Sequence, residues 1–318
     1  RGRCCCCSAR MPKEGKSHRP SNSAFKQQRL AAWQPILTPK PVIGTFLVVG
    51  LIFVGLGILF LITTMGVYET SEFRYDDQCD ANAKCTITLN IDEDMSSPVY
   101  VYYKLDNYYQ NHRRYVKSRS DPQLLGEETT SEPAECSPLG TNDNDQLLQP
   151  CGLIASSLFN DTFILRDPGG DIIPWKKEGI AWESDLEHKF NNPAGPTTGV
   201  RVIRDFKDED FVVWMRVAGL PSFRKLYRII DEDLKKGKYK MEIQNNYPWG
   251  DWSLDADIPG QKAIVLSEGS WLGGRNYFLG VAYIVVGGIC VLLGIAFTIL
   301  HIVKPRKMGD VTYLDWNR

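Results

Sequence analysis

Four histidines and nine cysteines are the side chains of this chain best suited to hold a metal or to attack a substrate. Their spacing argues against both. His18, His112, His188 and His301 are scattered along the chain, and no H-E-x-x-H is present. Eight of the nine cysteines fall into a terminal run, Cys4-Cys5-Cys6-Cys7, and a middle set, Cys79, Cys85, Cys136 and Cys151. No C-x-x-C pair joins the middle set, so a zinc site is disfavoured there. Thr141-Asn142-Asp143-Asn144-Asp145 resembles the start of a calcium loop but lacks the central glycine and the late glutamate. Neither G-x-x-x-x-G-K-[ST] nor G-x-S-x-G occurs. The expectation is a chain that is not an enzyme, with no catalytic residue, no cofactor and no metal.

Two stretches combine bases with aromatics. One runs Asn107-Tyr108-Tyr109-Gln110-Asn111-His112-Arg113-Arg114-Tyr115, the other Phe25-Lys26-Gln27-Gln28-Arg29-Leu30. Their meaning depends on which compartment each occupies, and that is set by the elements around them.

Two uninterrupted apolar runs decide the compartments. Residues 42–67 carry no charge, and at about 1.5 Å per residue they reach roughly 39 Å, enough to cross a hydrocarbon core of about 30 Å. Residues 277–303 are similar, lacking Asp, Glu, Lys and Arg, with His301 near the end. Charge is segregated around these runs although the total is only −1. Residues 1–41 hold nine Lys/Arg and one acid, and residues 304–318 hold four and two. The stretch 68–276 holds 24 bases against 35 acids. Short basic tails belong in the cytosol. The expected organisation is a cytosolic tail (1–41), a first span (42–67), an extracytoplasmic domain (68–276), a second span (277–303) and a cytosolic tail (304–318).

That topology gives the remaining residues their roles. Four cysteines in an oxidising compartment imply two disulfides. Three connectivities exist, and the sequence-local one, Cys79–Cys85 with Cys136–Cys151, is favoured. The sequon Asn160-Asp161-Thr162 falls in the same segment, making Asn160 a candidate glycan site. Outside the cytosol the Tyr109–Tyr115 stretch has no nucleic acid to meet, so acidic protein loops or lipid headgroups are its candidate partners. The Phe25–Arg29 stretch precedes the first span and suits an anionic leaflet. Cys4–Cys7 are either acylated or part of an upstream artefact covering residues 1–10. Within the spans, Gly50 and Gly57, extended by Thr64, and Gly280, Gly287 and Gly294 recur every seven residues, making candidate packing seams.

The middle domain is expected to be mainly antiparallel β. Strands are read over Thr86–Ile91, Val99–Tyr103, Phe211–Val217, Tyr239–Ile243 and Lys262–Leu266. A helix is read from Pro221, with Phe223, Leu226, Ile230 and Leu234 on one face and Gly237 as its stop. A short helix is expected near Pro150, and 118–150 reads as loops tied down by Cys136 and Cys151. The fold class is thus two membrane helices flanking a disulfide-bonded, sandwich-like extracytoplasmic domain with helical insertions.

Several motifs, in order, resemble one family. They are Phe25–Leu30 with Trp33-Gln34-Pro35-Ile36-Leu37, Tyr108–Tyr115, Pro150-Cys151-Gly152, Phe159-Asn160-Asp161-Thr162-Phe163, Trp214-Met215-Arg216, Leu220–Tyr227 and Ser270–Asn276. Across about residues 24–303 the chain resembles the accessory β-subunits of type IV P-type ATPases, the phospholipid flippases. This is the cell-division-control-50 and ligand-effect-modulator family, called ALA-interacting subunits in plants. The resemblance implies a heterodimer in which the ATPase hydrolyses ATP and moves lipid from the outer to the cytosolic leaflet. It implies that the accessory subunit supports assembly, exit from the endoplasmic reticulum and transport, with final addresses in Golgi, endosomal or plasma membranes. It implies that Phe25, Lys26, Gln27, Gln28, Arg29, Trp33, Tyr109, Gln110, Asn111, His112, Arg113, Arg114 and Tyr115 face the partner. Carried over by position, it also implies the two sequence-local disulfides and a glycan on Asn160. Asn246-Tyr247-Pro248-Trp249 departs from the family's Asn-Tyr-Pro-Val, which bears on partner choice. A free-standing receptor or adhesion protein is the competing reading of the same architecture.

Overall fold

The computed structural model describes residues 21–31, 38–80, 82–127, 129, 131–194, 199–248 and 260–305. Within these, two 27-residue helices, α1 (Pro39–Met65) and α7 (Tyr277–Val303), are long and apolar enough to cross a membrane. Proline suits the first turn of α1, where its missing N–H would lack a partner in any case. The exposed side chains of both helices are nearly all apolar, the surface that hydrocarbon tolerates. Between the helices come β1 (Phe73–Arg74), β2 (Lys84–Ile91), β3 (Val99–Asp106), α2 (Arg113–Lys117), α3 (Asp121–Leu124), β4 (Leu148–Gln149), α4 (Leu153–Ser156) and β5 (Thr162–Arg166). They are followed by α5 (Glu183–His188), β6 (Val200–Arg201), α6 (Glu209–Met215), β7 (Phe223–Ile230), β8 (Gly237–Gln244) and β9 (Gln261–Glu268).

The chain divides into two compact units. One combines residues up to Gly50 with those from Ile289, and the other is Leu51–Gly288. In the first, the rings of Phe46 and Phe297 meet edge to face at 5.7 Å. A Cβ on Gly294 would lie 2.7 Å from the Leu47 side chain. In the second, Tyr283 sits 5.2 Å from Phe53 and 5.3 Å from Phe60, measured between ring centroids.

The second unit holds two antiparallel sheets. One is ordered β1-β9-β3-β7, the other β2-β8-β5, and a two-residue parallel pair joins β4 to β6. Alternation builds the contact between sheets. Inward residues of β2 and β3, such as Ile87, Leu89, Ile91, Val99, Val101 and Leu105, are all buried in one core. Phe163 of β5 meets Tyr227 of β7 edge to face at 5.0 Å, so side chains of the two sheets interlock.

Two expected elements exchange identity. Phe211–Val217 is not a strand; its first five residues lie in α6. Asp208 caps that helix by accepting the Asp210 N–H at 2.9 Å, and Glu209 and Asp210 occupy its first turn. Phe211, Val212, Trp214 and Met215 are buried, a helical rather than alternating pattern. The segment from Pro221 is not a helix; it contains β7, paired residue by residue with β3. A bulge explains the misleading period. Val101 pairs with Arg228 but Tyr102 with Leu226, leaving Tyr227 as the extra residue. The bulge lets Phe223 and Ile230, seven residues apart, both face inward, a spacing that imitates a helix face. Lys225 at an inward position hides the alternation that remains.

The other four strands, the short helix and the disulfide pairing agree with the sequence reading, whereas 118–150, read as loops, also contains α3 and β4. Strands cover Thr86–Ile91, Val99–Tyr103, Tyr239–Ile243 and Lys262–Leu266, and α4 is the short helix after Pro150. Cys79 is bonded to Cys85 and Cys136 to Cys151.

Candidate functional site

Both sheets have one end beside the membrane helices. Glu268 ends β9 only nine residues before α7, and it faces Val99 of β3. Asp92, just past β2, donates its N–H to the Tyr68 hydroxyl, three residues beyond α1. The opposite ends lie seven residues further along the strands, about 23 Å at 3.3 Å per residue. There the Asn107–Tyr115 motif, the sequon, Tyr247 and the Cys79–Cys85 bond gather.

Hydrogen bonds split the aromatic-basic motif into two halves. Gln110 is fully buried, and its side-chain oxygen accepts the Ala218 N–H at 2.9 Å. Tyr108 receives support from the same neighbouring loop, donating its N–H to the Pro221 carbonyl at 2.9 Å. Asn111 is exposed, yet its amide donates to the Gly219 carbonyl at 3.0 Å. Tyr115 reaches the Ser157 hydroxyl at 2.7 Å, and the Tyr247 hydroxyl lies 3.2 Å from that of Tyr108. Burial pushes the Tyr115 and Tyr247 hydroxyls above the ordinary tyrosine range, so both stay neutral. Tyr109, His112, Arg113 and Arg114 form the outward half and are exposed. A cavity of about 540 Å³ opens between the two halves, walled by Tyr108, Tyr109, Tyr115 and Tyr247, with the His112 imidazole and the Arg114 guanidinium at its lining.

Beneath the cavity sits a buried ion pair that sequence reading missed. Lys262 donates to Asp161 at 2.8 Å, to the Tyr247 carbonyl at 2.9 Å and to the Asn245 side chain. Asp161 also accepts from the Tyr75 hydroxyl at 2.7 Å and from the N–H groups of Asn246 and Tyr247, each at 2.6 Å. Asn245 in turn donates to the Cys79 carbonyl at 2.9 Å. Burial pulls Lys262 below the ordinary lysine range, and Asp161 opposes that pull. The middle residue of the sequon is therefore a structural hub. Its only sequence signal is an acid between Phe159 and Phe163, in a frame otherwise read as a glycan motif.

A second buried cation holds α6. Lys225 donates to the carbonyls of Val213, Trp214 and Arg216 at 2.9, 2.8 and 2.6 Å, satisfying helix-end acceptors. Desolvation pulls its pKa down to about 7. Asp185, beside it, accepts from Arg216 and Lys189, each at 2.6 Å. The hydrogen bond from Arg216 holds that carboxyl below the usual range.

The remaining candidates are spread across the chain. Phe25, Lys26, Gln28 and Arg29 are exposed and Gln27 partly so, in a turn closed by Arg29 N–H to the Ala24 carbonyl at 2.7 Å. Trp33, Cys4–Cys7 and Trp249 lie outside the described residues. Gly50, Gly57, Thr64, Gly280, Gly287 and Gly294 are all buried, whereas the other residues of both helices are exposed or partly exposed. A Cβ on Gly57 would come within 2.6 Å of Ile284, and one on Gly280 within 2.7 Å of Leu61. The Asn142 side chain accepts N–H groups from Asn144 and Gln146 at 3.0 and 2.9 Å, committing its oxygen to its own loop. Among the described residues no cluster of three or more His, Cys, Asp or Glu is placed to hold a metal.

What these features define is a membrane protein of two apolar helices that carries a disulfide-bonded, two-sheet domain between them. Residues 67–307 match the LEM3 (ligand-effect modulator 3) family / CDC50 family, and the chain belongs to it. It is 45% identical to ALA-interacting subunit 3 of Arabidopsis thaliana, over 95% of this chain and 92% of that protein. It is 41% identical to Cell cycle control protein 50A of Bos taurus, over 90% of each. It is 37% identical to Cell cycle control protein 50B of Homo sapiens, over 90% of this chain and 94% of that protein.

Proposed function

We infer that this chain is the non-catalytic accessory subunit of a type IV P-type ATPase that translocates phospholipid from the outer to the cytosolic leaflet. It supports the assembly of that ATPase, its exit from the endoplasmic reticulum and its transport activity. The observation that carries this reading is near-full-length similarity to a relative named as an interacting subunit. Basic tails support a topology with both termini cytosolic and residues 68–276 outside or in a lumen. In that topology Phe25–Arg29 meets the partner or anionic headgroups on the cytosolic side. Tyr109, His112, Arg113 and Arg114 supply an exposed face to the partner's outer loops, and Gln110 and Tyr115 hold that face in shape. The buried glycines let the two spans approach closely.

Affinity purification from mild-detergent membranes tests the reading, with co-purifying proteins identified by mass spectrometry. A large P-type ATPase recovered near one-to-one is the expected result. A clean preparation without any ATPase, from cells that express flippases, overturns it in favour of a receptor or adhesion protein.

A further inference from the structure

Asn160 is exposed and forms part of the wall of the 540 Å³ cavity. Its neighbour Asp161 is pinned by the Lys262, Tyr75, Asn246 and Tyr247 hydrogen bonds, so the backbone that presents Asn160 is held firmly. The Asn160 carbonyl also accepts from the Asn246 amide at 3.2 Å. A glycan on Asn160 would therefore start at a fixed point on the cavity rim.

The cavity has the chemistry that receives a sugar. Tyr108, Tyr109, Tyr115 and Tyr247 line it, and aromatic faces attract the weakly positive C–H edges of a pyranose ring. His112 and Arg114 bring N–H donors for hydroxyl and acetamide oxygens. A lipid acyl chain is disfavoured, because the cavity lies at the strand ends about 23 Å beyond those beside the membrane helices. A covalent tether makes even weak stacking effective, since the local concentration of a ligand on a short linker reaches about the millimolar range.

We propose that this cavity is an intramolecular sugar-binding site, occupied by the first N-acetylglucosamine residues of a glycan on Asn160. Docked there, the sugar covers the tyrosine wall, so that the face offered to the partner consists of the sugar together with Arg113. This rests on the extracytoplasmic placement of residues 68–276.

The test uses the full chain, expressed with its membrane partners in eukaryotic cells, and a glycan-releasing amidase as the probe. Thr162→Ala removes the sequon and identifies the Asn160 glycan by mass. Release from the native protein is expected to be about tenfold slower than from the denatured chain, equivalent to about 1.4 kcal/mol of docking. Tyr109→Ala removes an exposed ring, so the fold survives, and is expected to speed native release by about threefold or more. Native release unchanged by Tyr109→Ala overturns the proposal while leaving the topology intact. Loss of partner recovery in Tyr109→Ala without any change in release also overturns it, and gives the cavity to a loop of the partner. An unmodified Asn160 overturns it as well. Alkylation of the cysteines then separates the causes: reduced Cys79 and Cys85 would remove the topology too, and oxidised ones would spare it.

Discussion

Along α1 and α7 the buried positions are Gly50, Gly57, Thr64, Gly280, Gly287 and Gly294, whereas the remote ends of the sheets bury Tyr75, Asp161, Tyr247 and Lys262. The two solvents explain the difference. In hydrocarbon, apolar side chains gain nothing by leaving lipid, so helices associate through close van der Waals contact and small residues mark where they touch. In water, burial of apolar surface is strongly favourable, and a core of aromatics can carry a charged pair if every polar atom finds a partner. Helix contact here depends on missing side chains, and the sheet ends depend on fully engaged ones.

Mutations that break one region should therefore differ in kind from those that break the other. The largest effect is expected at Asp161→Asn, which leaves Lys262 buried without its counter-charge. A cost of about 3–5 kcal/mol is typical for such a change. Asp161→Asn combined with Lys262→Met should recover much of that loss. Denaturant unfolding of the detergent-solubilised protein, followed by tryptophan fluorescence, checks both variants. If the double variant is no better than the single, the ion pair is not what Asp161 supplies.

A smaller effect is expected in the helices. Gly280→Leu should cost about 1–3 kcal/mol through overpacking against Leu61. Gly288→Leu, where nothing lies within 4 Å of the added Cβ, should be neutral. Thermal stability in detergent and recovery of the partner compare them. Equal behaviour of the two would remove the glycine seam from the comparison.

The last effect is a slope with pH rather than a fixed loss. Lys225 has a folded pKa near 7, below the ordinary lysine value of about 10.4. Between those values the unfolded chain keeps a proton that the folded chain releases, so stability rises with pH across this window. Lys225→Met should flatten that rise, as unfolding midpoints from pH 7 to 10 would reveal. An unchanged slope would mean that the three carbonyls around Lys225 hold its proton as firmly as water does.

Legibility followed the same division. The spans, the turn-bounded strands of β2, β3, β8 and β9 and the disulfide pairing were readable, because long apolar runs, strict alternation and short cysteine spacing are local patterns. The identities of α6 and β7 were not. Both hinge on distant partners: α6 on the buried surface it shares with Ile154, whose carbonyl accepts from the Trp214 indole at 2.9 Å, and β7 on a bulge forced by pairing with β3. The motif around Tyr109 was visible as a unit, but its division into an inward and an outward half was not.

Composition and order along the chain thus determined the class of this protein: where apolar surface is continuous, where charge is excluded and which cysteines lie close. Only the tertiary structure decided that the sequon's aspartate is a hub, that Lys225 and Lys262 are buried, and that Asn160 borders a tyrosine-walled cavity. The physical reason is range. Hydropathy and spacing act over a few residues, whereas Asp161 and Lys262 are 101 residues apart, and a buried charge declares itself only where its partners converge.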